Sequence, residues 1–184
     1  LFVTSFVSAQ IVNIPDVNFK TKLLSALPTN TVAYSNGLAV KIDLNNDNEI
    51  QFSEAIAIDS LDVKLSNIID LEGINSFLNL KKLQCHSNQI NALNISSLIY
   101  LQKLRADFNN LASLNLINNS QLEELRLNGN DLQTIDVVNL VNLSRLEVAG
   151  NQLSNISLNG LTQLQVLDVT GNNISSISVL DNIN

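Results

Sequence analysis

Leu101-Gln102-Lys103-Leu104-Arg105-Ala106-Asp107-Phe108-Asn109-Asn110-Leu111 decides the fold, because this pattern returns every 21 residues without slippage. Copies begin at Leu80, Leu101, Leu122, Leu143 and Leu164. Each reads L-x-x-L-x-[apolar]-x-x-N-x-[L/I], with the asparagine at Asn88, Asn109, Asn130, Asn151 and Asn172. A fixed period of this length means stacked, near-identical coils rather than a globular core. An earlier and slightly longer copy spans residues 58–79. It has Leu61, Val63, Ile68 and Leu71 in the matching places and Ser66 where the asparagine would stand.

These eleven positions are the leucine-rich repeat signature. The chain resembles bacterial leucine-rich repeat proteins of the short 21-residue class sometimes called IRREKO-type. That resemblance implies a right-handed solenoid with a parallel sheet on its concave face. The residues support the same reading independently. Leu83 and Cys85, Leu104 and Ala106, Leu125 and Leu127, Leu146 and Val148, and Leu167 and Val169 alternate with polar neighbours. Period 2 makes each such segment a strand, and stacking lays the strands side by side in register. The repeated asparagine is expected to bond backbone groups where the chain leaves the strand, since a tight coil would otherwise bury them unpaired. A second alternation follows in each coil, as in Ile135 with Val137 and Ile156 with Leu158. Twenty-one residues leave little room for a helix there, and β-branched residues favour extended backbone, so the convex side is expected to be mostly extended.

Composition agrees with narrow rungs. The 184 residues are 45% hydrophobic but only 4% aromatic, so Leu, Ile, Val and Ala carry the core. A net charge of −7 argues against nucleic acid as a partner. One cysteine excludes an internal disulfide framework. No run of 18 apolar residues is present, so no transmembrane segment is expected. Residues 1–9 form an apolar run ending in Val7-Ser8-Ala9, small residues of the kind signal peptidase prefers. They read as the remnant of a signal peptide, and the protein is expected to be secreted or at the cell surface.

Residues 10–57 do not repeat and are expected to cap the first coil, whose open end would expose leucines and sheet edge. Pro15-Asp16 starts a helix there, with Phe19, Leu23, Leu24 and Leu27 on one face. The cap also contains the one constellation suited to metal chemistry. Counting from Asp43, oxygen side chains fall at positions 1, 3, 5 and 12, with apolar Ile50 at position 8. This is the spacing of the EF-hand calcium loop, in which a tight turn aims successive oxygens at one point. The expected ligands of a structural Ca2+ are Asp43, Asn45, Asp47, the carbonyl of Glu49 and a bidentate Glu54. Position 6 is Asn48 rather than glycine, and asparagine tolerates the left-handed backbone required there.

The repeats, residues 58–184, read as six coils and are expected to continue past this sequence. Their outward strand positions hold six of the seven repeat-region cations; only Lys81 lies elsewhere. Lys82, His86, Lys103, Arg105, Asp107, Arg126 and Arg145 are therefore the candidate contact residues of the concave face. The lone Cys85 and lone His86 are neighbours on a strand and face opposite ways, which rules out a Cys–His dyad. His86 is expected on the surface, aligned with Asp107 one coil on. The chain therefore reads as a non-catalytic module for protein interaction or adhesion, with an extracellular protein as partner. The alternatives are a glycan-binding accessory module and a structural spacer for a domain outside these residues. Sugar sites stack rings on exposed aromatics, and the concave face offers only Phe108.

Overall fold

Leucines at the fourth position of every copy form the spine of the molecule. In the computed structural model, which describes residues 10–179, Leu61, Leu83, Leu104, Leu125 and Leu146 are all buried and stand directly beside one another. They lie at the centres of short strands β3 (Ser60–Asp62), β4 (Lys82–Gln84), β5 (Lys103–Arg105), β6 (Glu124–Arg126) and β7 (Arg145–Glu147). The sheet is completed in register by the strand Val166–Asp168, where Leu167 pairs with Leu146. All these pairings are parallel, as the unbroken repeat requires. The structure is a parallel-sheet solenoid of about six turns.

The asparagines hold neighbouring coils together. Asn130 donates from Nδ2 to Ala106 O in the preceding coil and to Leu127 O in its own, both at 3.0 Å. Its Oδ1 accepts from Leu111 N at 3.0 Å. Asn109, Asn151 and Asn172 repeat this set. Asn88 does the same for the first coil, with Oδ1 accepting from Ser66 N and Ile68 N. One side chain thus satisfies a donor and two acceptors that the tight coil withdraws from water.

The opposite side of each coil is extended backbone broken by turns. Among the described residues a short 3-10 helix, Ile74–Ser76, occurs only in the longer first copy. Toward the far end, Asn155–Ser157 and Ser176–Ser178 pair as parallel strands on this side. Asn119 occupies the place that Leu98 and Leu140 fill in adjacent coils. It donates to Ile95 O and Leu98 O, while its Oδ1 is buried with no partner among the described residues.

At the start of the stack, α1 (Val17–Leu24) is capped by Asp16, whose Oδ1 accepts from Asn18 N and Phe19 N. Oδ2 of the same residue accepts from Ile69 N and Asp70 N in the first coil. Asp16 therefore both starts the helix and ties it to the repeats. Phe19 and Leu23 are fully buried as expected. Leu27 is not: the helix ends at Leu24, and Leu27 lies beyond it, 45% exposed. An element absent from the sequence reading completes this end. Strands β1 (Ala33–Ser35) and β2 (Leu38–Ala39) form an antiparallel hairpin, and β1 pairs antiparallel with β3. The hairpin covers a sheet edge that would otherwise present unpaired backbone. The segment read as a signal-peptide remnant, residues 1–9, lies outside the described residues, as do residues 180–184.

Candidate functional site

The outward positions of the parallel sheet gather the cations on one face, but pair most of them with acids. Lys103 Nζ lies 2.6 Å from Glu124, Arg105 Nε 2.8 Å from Asp107, and Arg145 2.7 Å from Glu147. Arg126 approaches Glu147 at 3.7 Å, and Lys64 meets Asp62 at 2.6 Å. Lys82 has no ion pair among the described residues. The hydrogen bond from Lys103 is the main reason the Glu124 carboxyl titrates below its ordinary range, ahead of the nearby positive charges.

Register nonetheless sets like charges side by side. Lys82 stands directly beside Lys103, and Arg105 directly beside Arg126. Like charges in such positions weaken a sheet. Lys82, Gln84, Lys103, Arg105, Glu124 and Arg126 line a shallow hollow of about 240 Å³ on this face. Just past the exit of β5, Phe108 is 61% exposed with a left-handed backbone, φ 54°. The following coils put Gly129, Gly150 and Gly171 at this place. A Cβ on Gly129 would come within 2.7 Å of the Phe108 ring, so that glycine leaves room for it.

Two of the expected contact residues, Asp107 and His86, are largely buried. Asp107 is only 2% exposed, and its second oxygen accepts from Asn128 N at 3.0 Å. Asn128 Oδ1 accepts in turn from Ala149 N, so the two form a short second ladder at the strand exits. His86, expected on the surface, is 9% exposed because side chains of the flanking coils cover it. Its Nδ1 lies 3.2 Å from Ser87 Oγ, while Asp107 is engaged by Arg105 and Asn128. Burial, reinforced by Arg105, lowers the imidazole pKa despite the opposing carboxylates, so the ring is neutral at neutral pH. The Cys85 thiol is enclosed in the core, and burial pushes its pKa up to about 12. A thiol held so far from ionisation is a poor nucleophile.

The acidic loop of the cap folds on itself. Asp43 accepts from Asn46 N, Asp47 N and Asn48 N, and Glu54 accepts from Leu44 N and Gln51 N. Both carboxylates are buried, and Ile50 is fully enclosed between them in sequence. Asn46 and Asn48 take left-handed backbone, φ 62° each, so position 6 has the conformation the loop spacing demands. Asp47 titrates low, chiefly because Glu49 N–H donates to it. The Glu49 side chain pairs with Lys20 of α1 at 2.7 Å. Among the described residues, no three His, Cys, Asp or Glu side chains are gathered as around a metal ion. The donors available are nonetheless all oxygens, the set a hard cation prefers.

Solved structures place the fold among bacterial leucine-rich repeat proteins. The functional domain of InlJ from Listeria monocytogenes superposes with a TM-score of 0.77 over 92% of this chain at 29% identity. A leucine-rich repeat protein of Leptospira interrogans gives 0.63 over 66% at 28% identity. The Listeria internalin InlF gives 0.62 over 96% at 18%, a likeness of fold. The chain spans 35% of the InlJ chain, 33% of the Leptospira chain and 66% of InlF. The InlJ domain includes a cysteine ladder, whereas this chain has the single Cys85. No protein-family model and no curated protein sequence matches the chain. Among the described residues no helix is long and apolar enough to cross a membrane.

Proposed function

We propose that this chain is an exported, non-catalytic protein-interaction module that docks an acidic partner on the outward face of its parallel sheet. The observation that carries this reading is the register of like charges, Lys82 beside Lys103 and Arg105 beside Arg126. Glu124 and Asp107 offset Lys103 and Arg105, one member of each pairing, so the unpaired Lys82 and the loosely held Arg126 are the charges an acidic partner would meet. The exposed Phe108, three residues beyond Arg105 and at a backbone position where glycine is the easy choice, would supply an apolar anchor.

Binding and stability should separate. Lys82→Glu places a carboxylate beside Lys103, so it should leave stability unchanged or gain about 0.5 kcal/mol. Combined with Arg126→Glu, it should strongly reduce capture of cell-surface proteins by the immobilised module, and wild-type capture should fall with salt. Arg105 is a poor choice for reversal because it neutralises the buried Asp107. Equal capture by wild type and the double variant would favour the spacer reading.

The cap loop is proposed as a structural calcium site. Asp43, Asn45 and Asp47 would hold the ion through side-chain oxygens, Glu49 through its carbonyl and Glu54 through its carboxylate. Bound calcium would neutralise these acids and fasten the cap to the first coil. A ligand that binds only the folded state stabilises by about 2.7 kcal/mol at one hundred times its dissociation constant. Chelator should therefore lower the Tm, and Asp43→Ala should abolish that difference. Identical melting of the wild type with calcium and with chelator would reduce the loop to an acidic turn.

A further inference from the structure

We propose that a hollow at the seam between the cap and the first two coils, away from the outward sheet face, binds a neutral saccharide against Tyr100. The hollow has a volume of about 490 Å³, within the range of small-molecule sites. The cap supplies Asn36 and Ile56, the first coil Asp59 and Asn79, and the approach to β4 supplies Lys81, with Tyr100 contributed one coil further on.

Tyr100 serves no purpose in building the coil. Its equivalents in the other copies are Asn79, Gln121, Asn142 and Gln163, all amides. The residue is 53% exposed, so it is not core. An exposed ring with one apolar face is what a pyranose stacks on through its axial C–H face, leaving hydroxyls directed at surrounding polar groups.

Those groups are present and held in place. Asp59 Oδ2 accepts from Asn36 N at 2.6 Å, which fixes the carboxylate against the hairpin turn. The turn itself is set by left-handed Asn36 and Gly37, φ 52° and 79°. Asp59 N donates to Tyr34 O, and Asp59 O accepts from Lys81 N at 2.8 Å. Asn79 Nδ2 donates to Ile56 O at 2.7 Å, which fixes the plane of its amide. Donors and acceptors anchored to strand ends cost little to order on binding. Lys81 is the one repeat-region cation away from the outward face, and it has no ion pair among the described residues. Its charge and that of Asp59 balance in the hollow. A carboxylate, amides and an ammonium around a ring match the mixed donors and acceptors of sugar hydroxyls, and the balanced charge selects neutral sugars over acidic ones.

Tyrosine emission tests this directly, since the chain has two tyrosines and no tryptophan. In a Tyr34→Phe background the signal comes from Tyr100 alone. Titration with a panel of neutral gluco-, manno-, galacto- and N-acetylhexosamine oligosaccharides should give a saturable change with at least one of them. Tyr100→Ala, followed by saturation-transfer NMR because the fluorophore is gone, should weaken that binding at least tenfold. Asp59→Asn should do the same, and Lys82→Glu should leave it unchanged. Tyr100 is a surface residue, so its variant remains informative even if Asp59→Asn disturbs the hairpin. No saturable response up to about 10 mM, binding confined to acidic saccharides, or full binding by Tyr100→Ala would each overturn the proposal. Loss of sugar binding in Lys82→Glu would also overturn it, by moving the site to the outward face. Protein capture by that face is independent of every one of these outcomes.

Discussion

At the level of single side chains, a few polar groups do most of the structural work. Asn130 replaces three backbone partners with one amide, at 6% exposure. Removing it strands Leu111 N and deprives two carbonyls of a donor. Asn130→Ala should therefore cost about 2–3 kcal/mol in denaturant unfolding, with the slope unchanged. The half-buried Asn128→Ala should cost less, since Ala149 N loses its acceptor and Glu147 only a long 3.3 Å donor. Asp16 offers a pH test. Burial raises its pKa, but hydrogen bonds from Phe19, Ile69, Asp70 and Asn18 N–H outweigh that and leave it below 3.8. A lowered folded pKa means its contribution is complete above the ordinary carboxylate range and disappears as pH falls through the folded value. Wild type should exceed Asp16→Ala by about 2 kcal/mol near neutral pH. That gap should shrink between roughly pH 5 and pH 2. A gap constant with pH would mean the side chain acts through packing alone.

Among the elements, the strands were legible because period 2 within period 21 leaves one register. A shift by one residue would turn Leu104 and Leu125 outward and Arg105 and Arg126 inward, which burial of charge forbids. The asparagine ladder was legible for a similar reason: a polar residue repeated at a buried place must have partners. The cap was harder. Asn36-Gly37 is a strong turn signal, and the structure uses it for the β1–β2 hairpin, but strands of three and two residues carry no periodicity. Leu27 kept the helical spacing of Phe19 and Leu23, yet Pro28 follows it and restricts its backbone away from helix. His86 and Asp107 looked like surface residues because alternation tells which face a side chain leaves from, not how deeply its neighbours cover it. The surroundings of Tyr100 were not legible, because the hollow beside it is assembled from segments more than sixty residues apart in sequence.

For the whole molecule, stability is the sum of coils and the contacts between neighbours, so the two ends need not be equal. The first coil is covered by α1, by the β1–β2 hairpin and by the two hydrogen bonds of Asp16. At the other end of the described residues, Leu167, Ile177 and Val179 are 38%, 44% and 45% exposed, whereas Leu83 and Leu125 are at 0%. A leucine with a third of its surface open gives up a corresponding share of the roughly 1.5–3 kcal/mol that full burial contributes. Opening among the described residues should therefore begin where these poorly buried side chains lie, at the strand 166–168 paired with β7 and at the separate pair 155–157 with 176–178. The asparagine bonds of Asn172 to Val148 O and Leu153 N should break before those of Asn109 and Asn130. Native-state hydrogen exchange measures this order. Amides of Val166, Leu167 and Asp168 should exchange at sub-global free energies, while those of Leu104 and Leu125 should exchange only with global unfolding. Lowering stability with mild denaturant should widen the early-exchanging zone toward β7 one coil at a time. Uniform exchange along the stack would show that it opens as a single unit, and earliest exchange in β3 and α1 would show that the cap does not seal its end.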